Sequence, residues 1–326
     1  MRAFTHINAR TLNEACTALW KYKGKARLNA GGTDLLSILK GDILFDYPEA
    51  VINLKTVPDL DYIREEGDVL KIGALARLSN VAKSPILRKS YRVLAEAANS
   101  VGSPQIRNVA TMGGNLCQNV RCWYYRYPRH LGGPLGCARK GNGPCLAVTG
   151  DNRYHAIMGG KKCFAVCPSD TAVALAALNA QVKITGRAGE RGIAVTEFFN
   201  PMGNSLGRGE MVNEIEVPRM AGRAQQTFLK FTLRRPIDFA IVSVASVMAV
   251  EKGLCTDVRI ALGGVAAGPV RAKSAESLII GSAIDEAVAT TAAEKALAGA
   301  KPLGNNAYKV EIAKTLVKRA LLQSYF

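Results

Sequence analysis

The sequence predicts an α+β chain in two parts, a larger domain over residues 1–220 and a smaller sheet with C-terminal helices over 221–326. Three observations predict it. Helical and strand periodicities are mixed along the first two-thirds of the chain, and only helical patterns follow Ala272. Pro218–Gln226 reads as a linker between the two parts. Residues 118–168 carry neither period, being rich in Gly, Pro, Arg, Lys and Cys instead.

In chain order, residues 11–23 open with Thr11, an N-cap candidate, and carry apolar residues at helical spacing. A short strand, residues 26–29, runs into a glycine turn and the start of a helix at AGGTDLL. Residues 51–54 and 69–74 read as strands. Residues 77–83 and 85–99 read as helices, the second beginning with Pro85, whose fixed φ suits a first turn. From Val101 to Gly114 the chain reads as a loop ending in TMGGN. Beyond the irregular stretch, Ser169-Asp170-Thr171 forms an N-cap ahead of a small-residue helix to Ala180. Strands follow at 181–185, 211–217, 228–233, 241–251 and 258–263, then helices at 272–280, 284–298 and 306–323.

Composition excludes several function classes. No apolar run is long enough to span a bilayer, and residues 1–6 lack a secretory signal, so a cytoplasmic location is expected. The 43 Lys and Arg against 26 Asp and Glu leave a net charge of +17. The basic residues are scattered and not interleaved with aromatics, which speaks against nucleic acid and for an acidic partner subunit or electron carrier. Eight cysteines in such a chain point to metal or redox chemistry, and six of them, Cys117, Cys122, Cys137, Cys145, Cys163 and Cys167, crowd into one segment.

Two glycine loops, AGGTDL (30–35) and TMGGN (111–115), place paired glycines after apolar chain. Without Cβ atoms, successive backbone N–H groups can approach a phosphate and form an anion nest. One Gly-Gly pair before a helix is most often a plain turn. Two of them in one domain, each with a neighbouring threonine, favour a pyrophosphate cradle, which spacing alone does not settle. Neither matches G-x-G-x-x-G, which disfavours a Rossmann fold.

AGGTDL, TMGGNLCQ and PSDTAVALAAL resemble the flavin subunits of the xanthine oxidase and carbon monoxide dehydrogenase family, and FLKFTLRRPIDFAIVSVA and NNAYKVEIAKTLVKRAL extend the likeness over the whole chain. The resemblance implies a two-subdomain FAD-binding fold of the vanillyl-alcohol oxidase type, with subdomains at about 1–55 and 56–220, followed by a smaller α/β C-terminal domain. It implies that Ala30, Gly31, Gly32, Thr33, Asp34 and Leu35 wrap the FAD pyrophosphate, and that Thr111, Gly113, Gly114 and Asn115 form the second cradle. Asp170 matches the aspartate that holds the flavin's sugar-like chain, and Lys230 the lysine near the isoalloxazine edge. On residue type alone, Asp170 reads as a helix N-cap and Lys230 as a solvated strand residue.

An irregular insertion must gain its order from a crosslink or a bound ion, because its apolar content cannot offset the conformational entropy. No Cys-x-x-Cys knuckle of the structural zinc type occurs, and wide, uneven spacing suits an iron–sulfur cluster. Arg121, Arg126, Arg129, Arg139, Lys140, Lys161 and Lys162 would offset the charge of four thiolates. GGNLCQNVRC and the GNG-x-C string resemble the β subunit of 4-hydroxybenzoyl-CoA reductase, which carries an extra [4Fe–4S] cluster. That resemblance implies Cys122, Cys137, Cys145 and Cys163 as ligands, with Cys167 the rival of Cys163, Cys117 packing near FAD, and His155 a loop residue more readily than a ligand. The insertion departs from that reductase in a longer gap before the last ligand, residues 154–160.

The family implies an electron-relay subunit beside a large molybdopterin subunit and a small subunit with two [2Fe–2S] clusters, assembled as a dimer of heterotrimers. Ferredoxin is the external carrier that the reductase-like insertion suggests. A xanthine, heterocycle or aldehyde dehydrogenase flavin subunit, a stand-alone FAD oxidase and a zinc-binding module are the competing readings.

Overall fold

In a computed structural model, residues 1–220, 224–234 and 237–325 are described. The N-terminal part builds a three-stranded parallel sheet in which Ala50–Asn53 lies between Thr5–Asn8 and Ala26–Asn29. All four residues of the central strand are buried, as a strand covered on both faces requires. Helix Leu12–Lys21 is capped by Thr11, whose Oγ1 accepts from Glu14 N at 3.1 Å.

The second part is a five-stranded sheet in the order Ile63–Glu66, Val69–Gly73, Met211–Pro218, Gln181–Gly186, Gly189–Ala194, every neighbouring pair antiparallel. Two of these strands, Ile63–Glu66 and Gly189–Ala194, carry largely exposed residues and no apolar alternation, so periodicity does not reveal them. One core packs this sheet against Leu78–Lys83, Arg92–Asn99 and the small-residue helix Asp170–Ala177, all eight residues of which are buried. The helix predicted over 85–99 is divided at Tyr91 (φ −134°) into Pro85–Ser90 and Arg92–Asn99.

After the segment 221–223, which lies outside the described residues together with the middle of the predicted linker, comes a four-stranded antiparallel sheet, Ala224–Phe231, Val242–Glu251, Leu254–Gly263, Val270–Arg271. Helices Lys273–Ile279, Glu286–Leu297 and Tyr308–Tyr325 follow it, the last lying on the sheet. The expected α/β label for this part is therefore corrected to α+β: hairpin connections pair its strands, and the helices come after the sheet and not between its strands. Val173, Ala245 and Ala261 share one core, so the helix Asp170–Ala177 joins the two sheets.

Between Gln118 and Ser169 the only regular elements among the described residues are two short 3₁₀ turns, Arg129–Leu131 and Ala138–Lys140. This stretch nevertheless has its own buried cluster, including Val120, Tyr125, Cys137, Cys163 and Ala165 packed with Ile38 and Ile43. No helix among the described residues is long and apolar enough to cross a membrane.

Candidate cofactor sites

The strand Ala26–Asn29 delivers Ala30 to Leu35 to the wall of a cavity of about 530 Å³, within the range of cofactor pockets. Gly32 has φ +73°, a left-handed conformation that favours glycine. A Cβ on Gly31 would overlap Val109 O and lie 2.9 Å from that residue's carbonyl carbon, so the two cradle loops touch backbone to backbone.

The second loop differs from the reading of 101–114 as unbroken loop. Pro104–Arg107 is a helical turn, and Met112–Cys117 is a short helix whose N-cap is Thr111. Thr111 Oγ1 accepts from Gly114 N at 3.2 Å, which leaves its own hydrogen available for an anion. Gly113 is needed for close approach, since its Cβ would stand 2.9 Å from the Ala74 methyl. Asn115 is buried, and its Oδ1 accepts from Ser169 Oγ and Thr171 Oγ1, both at 2.6 Å. The start of the helix Asp170–Ala177 is thus tied to the second cradle. Ser169, not Asp170, caps that helix through Ala172 N.

Asp170 is released for the cavity wall, where it pairs with Lys230 at 2.6 Å. Both side chains are almost fully buried, and Lys230 also donates to Ser100 O at 2.9 Å. Lys230 is therefore not the solvated strand residue that its type suggests. Burial raises the Asp170 pKa, while the Lys230 ammonium opposes that rise. Cys117, Leu54, Leu75 and Phe239 add apolar wall, and burial pushes the Cys117 thiol up to about 12.

Asp34 has a second task that its place in the glycine loop conceals. Its carboxylate accepts from Asn119 N (2.8 Å), Arg126 (2.5 Å) and Arg121 (2.9 Å), clamping the first cradle to the start of the irregular segment. Any contact of Asp34 with a phosphate is left to its backbone. Arg121 and Arg126, expected as counter-charges for thiolates, spend their guanidinium groups here, and burial lowers the Arg121 pKa to about 10. The pairing of these residues leaves no trace in the sequence.

The irregular segment brings Cys122, Cys137, Cys145 and Cys163 around one small cavity with Tyr125, Arg139, Ala147 and Ala165. Cys167 stands apart. It packs against the main core, its N–H donates to Ala266 O, and burial pushes its thiol up to about 12. Backbone N–H groups already face the converging sulfurs: Ala165 N donates to Cys163 Sγ at 3.4 Å, Tyr124 and Tyr125 donate to Cys122, and Phe164, Ala147 and Val148 donate to Cys145. Cys163 donates to Cys145, which draws the Cys145 thiol down to about 6 and holds Cys163 protonated. Four sulfurs with amide donors are a thiolate donor set suited to an iron–sulfur cluster. Among the described residues, no three Cys, His, Asp or Glu side chains converge tightly enough for a single ion.

His155 belongs to this neighbourhood. It is 3% exposed, with Nε2 3.2 Å from Cys122 Sγ, and burial lowers its pKa to about 4. Lys309, from the C-terminal helix, is wholly buried and donates to Gly264 O (2.5 Å), His155 O (2.9 Å) and Tyr154 O (3.4 Å). A buried lysine in a chain this basic carries no signal in the sequence.

Residues 2–220 match the family described as the FAD binding domain in molybdopterin dehydrogenase, and 227–324 match the CO dehydrogenase flavoprotein C-terminal domain. The aldehyde oxidoreductase FAD-binding subunit of Escherichia coli is 33% identical, covering 99% of both chains. The carbon monoxide dehydrogenase medium chain of Hydrogenophaga pseudoflava is 28% identical over 98% of this chain and 96% of its own. A solved structure of the carbon monoxide dehydrogenase of that organism, lacking the Mo-pyranopterin moiety of the molybdenum cofactor, superposes with a TM-score of 0.80 at 27% identity, over 99% of this chain and 98% of that one.

Proposed function

The chain belongs to the family of FAD-binding subunits of molybdopterin dehydrogenases, and on that premise we propose that it relays electrons between FAD and a [4Fe–4S] cluster of its own. The family makes it the flavoprotein subunit of a molybdenum-dependent oxidoreductase. The proposal adds a second cofactor, held by Cys122, Cys137, Cys145 and Cys163. The observation that carries it is the convergence of these four thiols, from four separate loops, on one cavity already provided with amide donors.

When bound, FAD exchanges one or two electrons and the cluster one, so the protein's contribution is to position and tune them. The glycine loops would supply backbone donors to the pyrophosphate; Gly31 lets the first loop approach the backbone at Val109, which leads into the second, and Gly113 lets the second loop approach Ala74. Asn115, fixed by Ser169 and Thr171, holds the second loop in register with Asp170, which with Lys230 lines the same cavity. Asp34 couples both sites, since one carboxylate grips Asn119, Arg121 and Arg126 at the start of the cluster segment. A vanillyl-alcohol oxidase-type arrangement, with the ligand between a parallel and an antiparallel sheet, is consistent with this geometry.

The strings GGNLCQNVRC and GNG-x-C support a 4-hydroxybenzoyl-CoA reductase-like holoenzyme, in which ferredoxin delivers electrons at the cluster and they pass through FAD to molybdenum. Its other subunits would be a large molybdopterin chain and a small chain with two [2Fe–2S] clusters, as a dimer of heterotrimers in the cytoplasm. The likeness over 99% of the chain to an aldehyde oxidoreductase subunit supports a second reading, with electrons flowing outward from aldehyde oxidation. Anaerobic purification with the native partners, followed by identification of those partners and of the substrate that reduces FAD, separates the two. Cys145→Ser is expected to remove about four irons per chain while FAD stays bound, the number that a cluster of this class contains. Iron retained by that variant, or zinc in place of iron and sulfide in the native chain, would refute the cluster.

A further inference from the structure

His155 stands where a side chain can act on the sulfur of Cys122. Nε2 lies 3.2 Å from Cys122 Sγ, within reach of an N–H···S bond, and Nδ1 is buried with no partner among the described residues. A coordinated thiolate offers only lone pairs, so the hydrogen of this contact belongs to Nε2. Trp123 meets the imidazole edge-on at 5.5 Å between centroids, and Tyr124 leans over it at 6.1 Å, which restricts ring rotation.

The backbone of His155 is held from the other domain. Its carbonyl accepts from Asn306 Nδ2 (3.1 Å) and Lys309 Nζ (2.9 Å), at the start of the C-terminal helix, and its N–H donates to Asn152 O (2.8 Å). A backbone held on both sides, with the ring wedged between Trp123 and Tyr124, fixes the aim of the imidazole.

We propose that His155 is a positioning residue for the cluster. It donates Nε2–H to the coordinated Cys122 sulfur without ligating iron, and it raises the cluster's reduction potential, with the C-terminal helix setting its aim. The inference rests on the four-cysteine reading above. One-electron reduction adds negative charge that is shared by the coordinating sulfurs, and an N–H···S bond strengthens as its acceptor gains charge. The reduced cluster therefore gains more from His155 than the oxidised one.

The test uses the full chain purified without oxygen, as native protein and as His155→Phe and His155→Gln. The readouts are iron per chain and the midpoints of cluster and FAD in a dithionite titration followed by EPR and absorbance. His155→Phe is expected to keep its iron and lower the reduced-to-oxidised ratio of the cluster about tenfold at a fixed potential, about 59 mV for one electron, with the FAD midpoint unmoved. His155→Gln, which retains an N–H donor, is expected to recover part of that loss. In the native reduced chain, ¹⁵N-histidine pulsed EPR is expected to show a weak coupling from a nitrogen outside the iron shell, a readout that needs no variant. A native midpoint in iron-replete His155→Phe, a strong nitrogen coupling typical of a ligand, or no coupling at all would each overturn the inference while leaving the cluster in place. Native protein without iron and sulfide would remove the cluster reading, and this inference with it.

Discussion

Gly31→Ala places a methyl group at the point where the two cradle loops touch. In the structure that Cβ would overlap Val109 O, with the Val109 carbonyl carbon at 2.9 Å and Ala110 Cα at 3.0 Å. Ordinary non-bonded contacts to carbon lie at about 3.5–4.0 Å, and the overlap with Val109 O is the tightest, so the loops must part by about 1 Å or more. The opposing atoms are backbone and no rotamer can relieve them, which places the cost in the range of an overpacked core, about 1–3 kcal/mol. On the proposed cradle, FAD binding requires both loops at their native separation, so the strain is expected to appear in binding, as roughly a 5- to 150-fold rise in Kd. The assay is FAD titration of the deflavinated full chain, followed by flavin fluorescence, with Gly299→Ala as the control. Gly299 has no atom within 4 Å of its Cβ position and no left-handed φ, so the control should bind FAD normally. If Gly31→Ala retained native FAD affinity, the paired-loop cradle would be wrong.

Three further outcomes follow from the same geometry. Lys230→Met leaves the Asp170 carboxylate buried without its cation, which costs about 3–5 kcal/mol in the urea unfolding of FAD-free chain; the double variant Asp170→Asn/Lys230→Met should recover part of that loss. Asp34→Ala removes three donors' common acceptor and is expected to lower FAD and iron content together, at a cost of about 2 kcal/mol; loss of FAD alone would contradict the clamp. Cys167 keeps its proton to about pH 12 in the folded chain, whereas an unfolded thiol ionises near about 8.5. Between these values the unfolded state binds fewer protons. The stability contributed by Cys167 is therefore complete below about pH 8.5 and is lost at up to about 1.4 kcal/mol per pH unit above it. Cys167→Ala should flatten the fall in urea midpoint between pH 8 and 10, and an unchanged slope would exclude that role.

Local chemistry was legible in the residues themselves. Thr11 and the Ser169 cap act on N–H groups three positions on, so residue type and pattern determine them, and the paired glycines at 31–32 and 113–114 and the apolar strand at 50–53 show in residue type alone, although their partners lie far away in sequence. The irregularity of 118–168 could also be read, because the lack of any period is itself local. The weak strands Ile63–Glu66 and Gly189–Ala194 could not, since they form by pairing with a neighbour and bury little of their own.

By itself, then, the sequence determined the mixed architecture, the two glycine loops and the set of cysteines from which a metal site can be drawn. Only the tertiary structure decided which of those cysteines meet. Cys163 joins the cavity of Cys122, Cys137 and Cys145, while Cys167, four positions on, turns into the main core. It likewise decided that Asp34 clamps two arginines and that Lys309 reaches back to His155. The physical reason is that such meetings depend on the path of a chain without internal period, and that path is set by packing against elements far away in sequence.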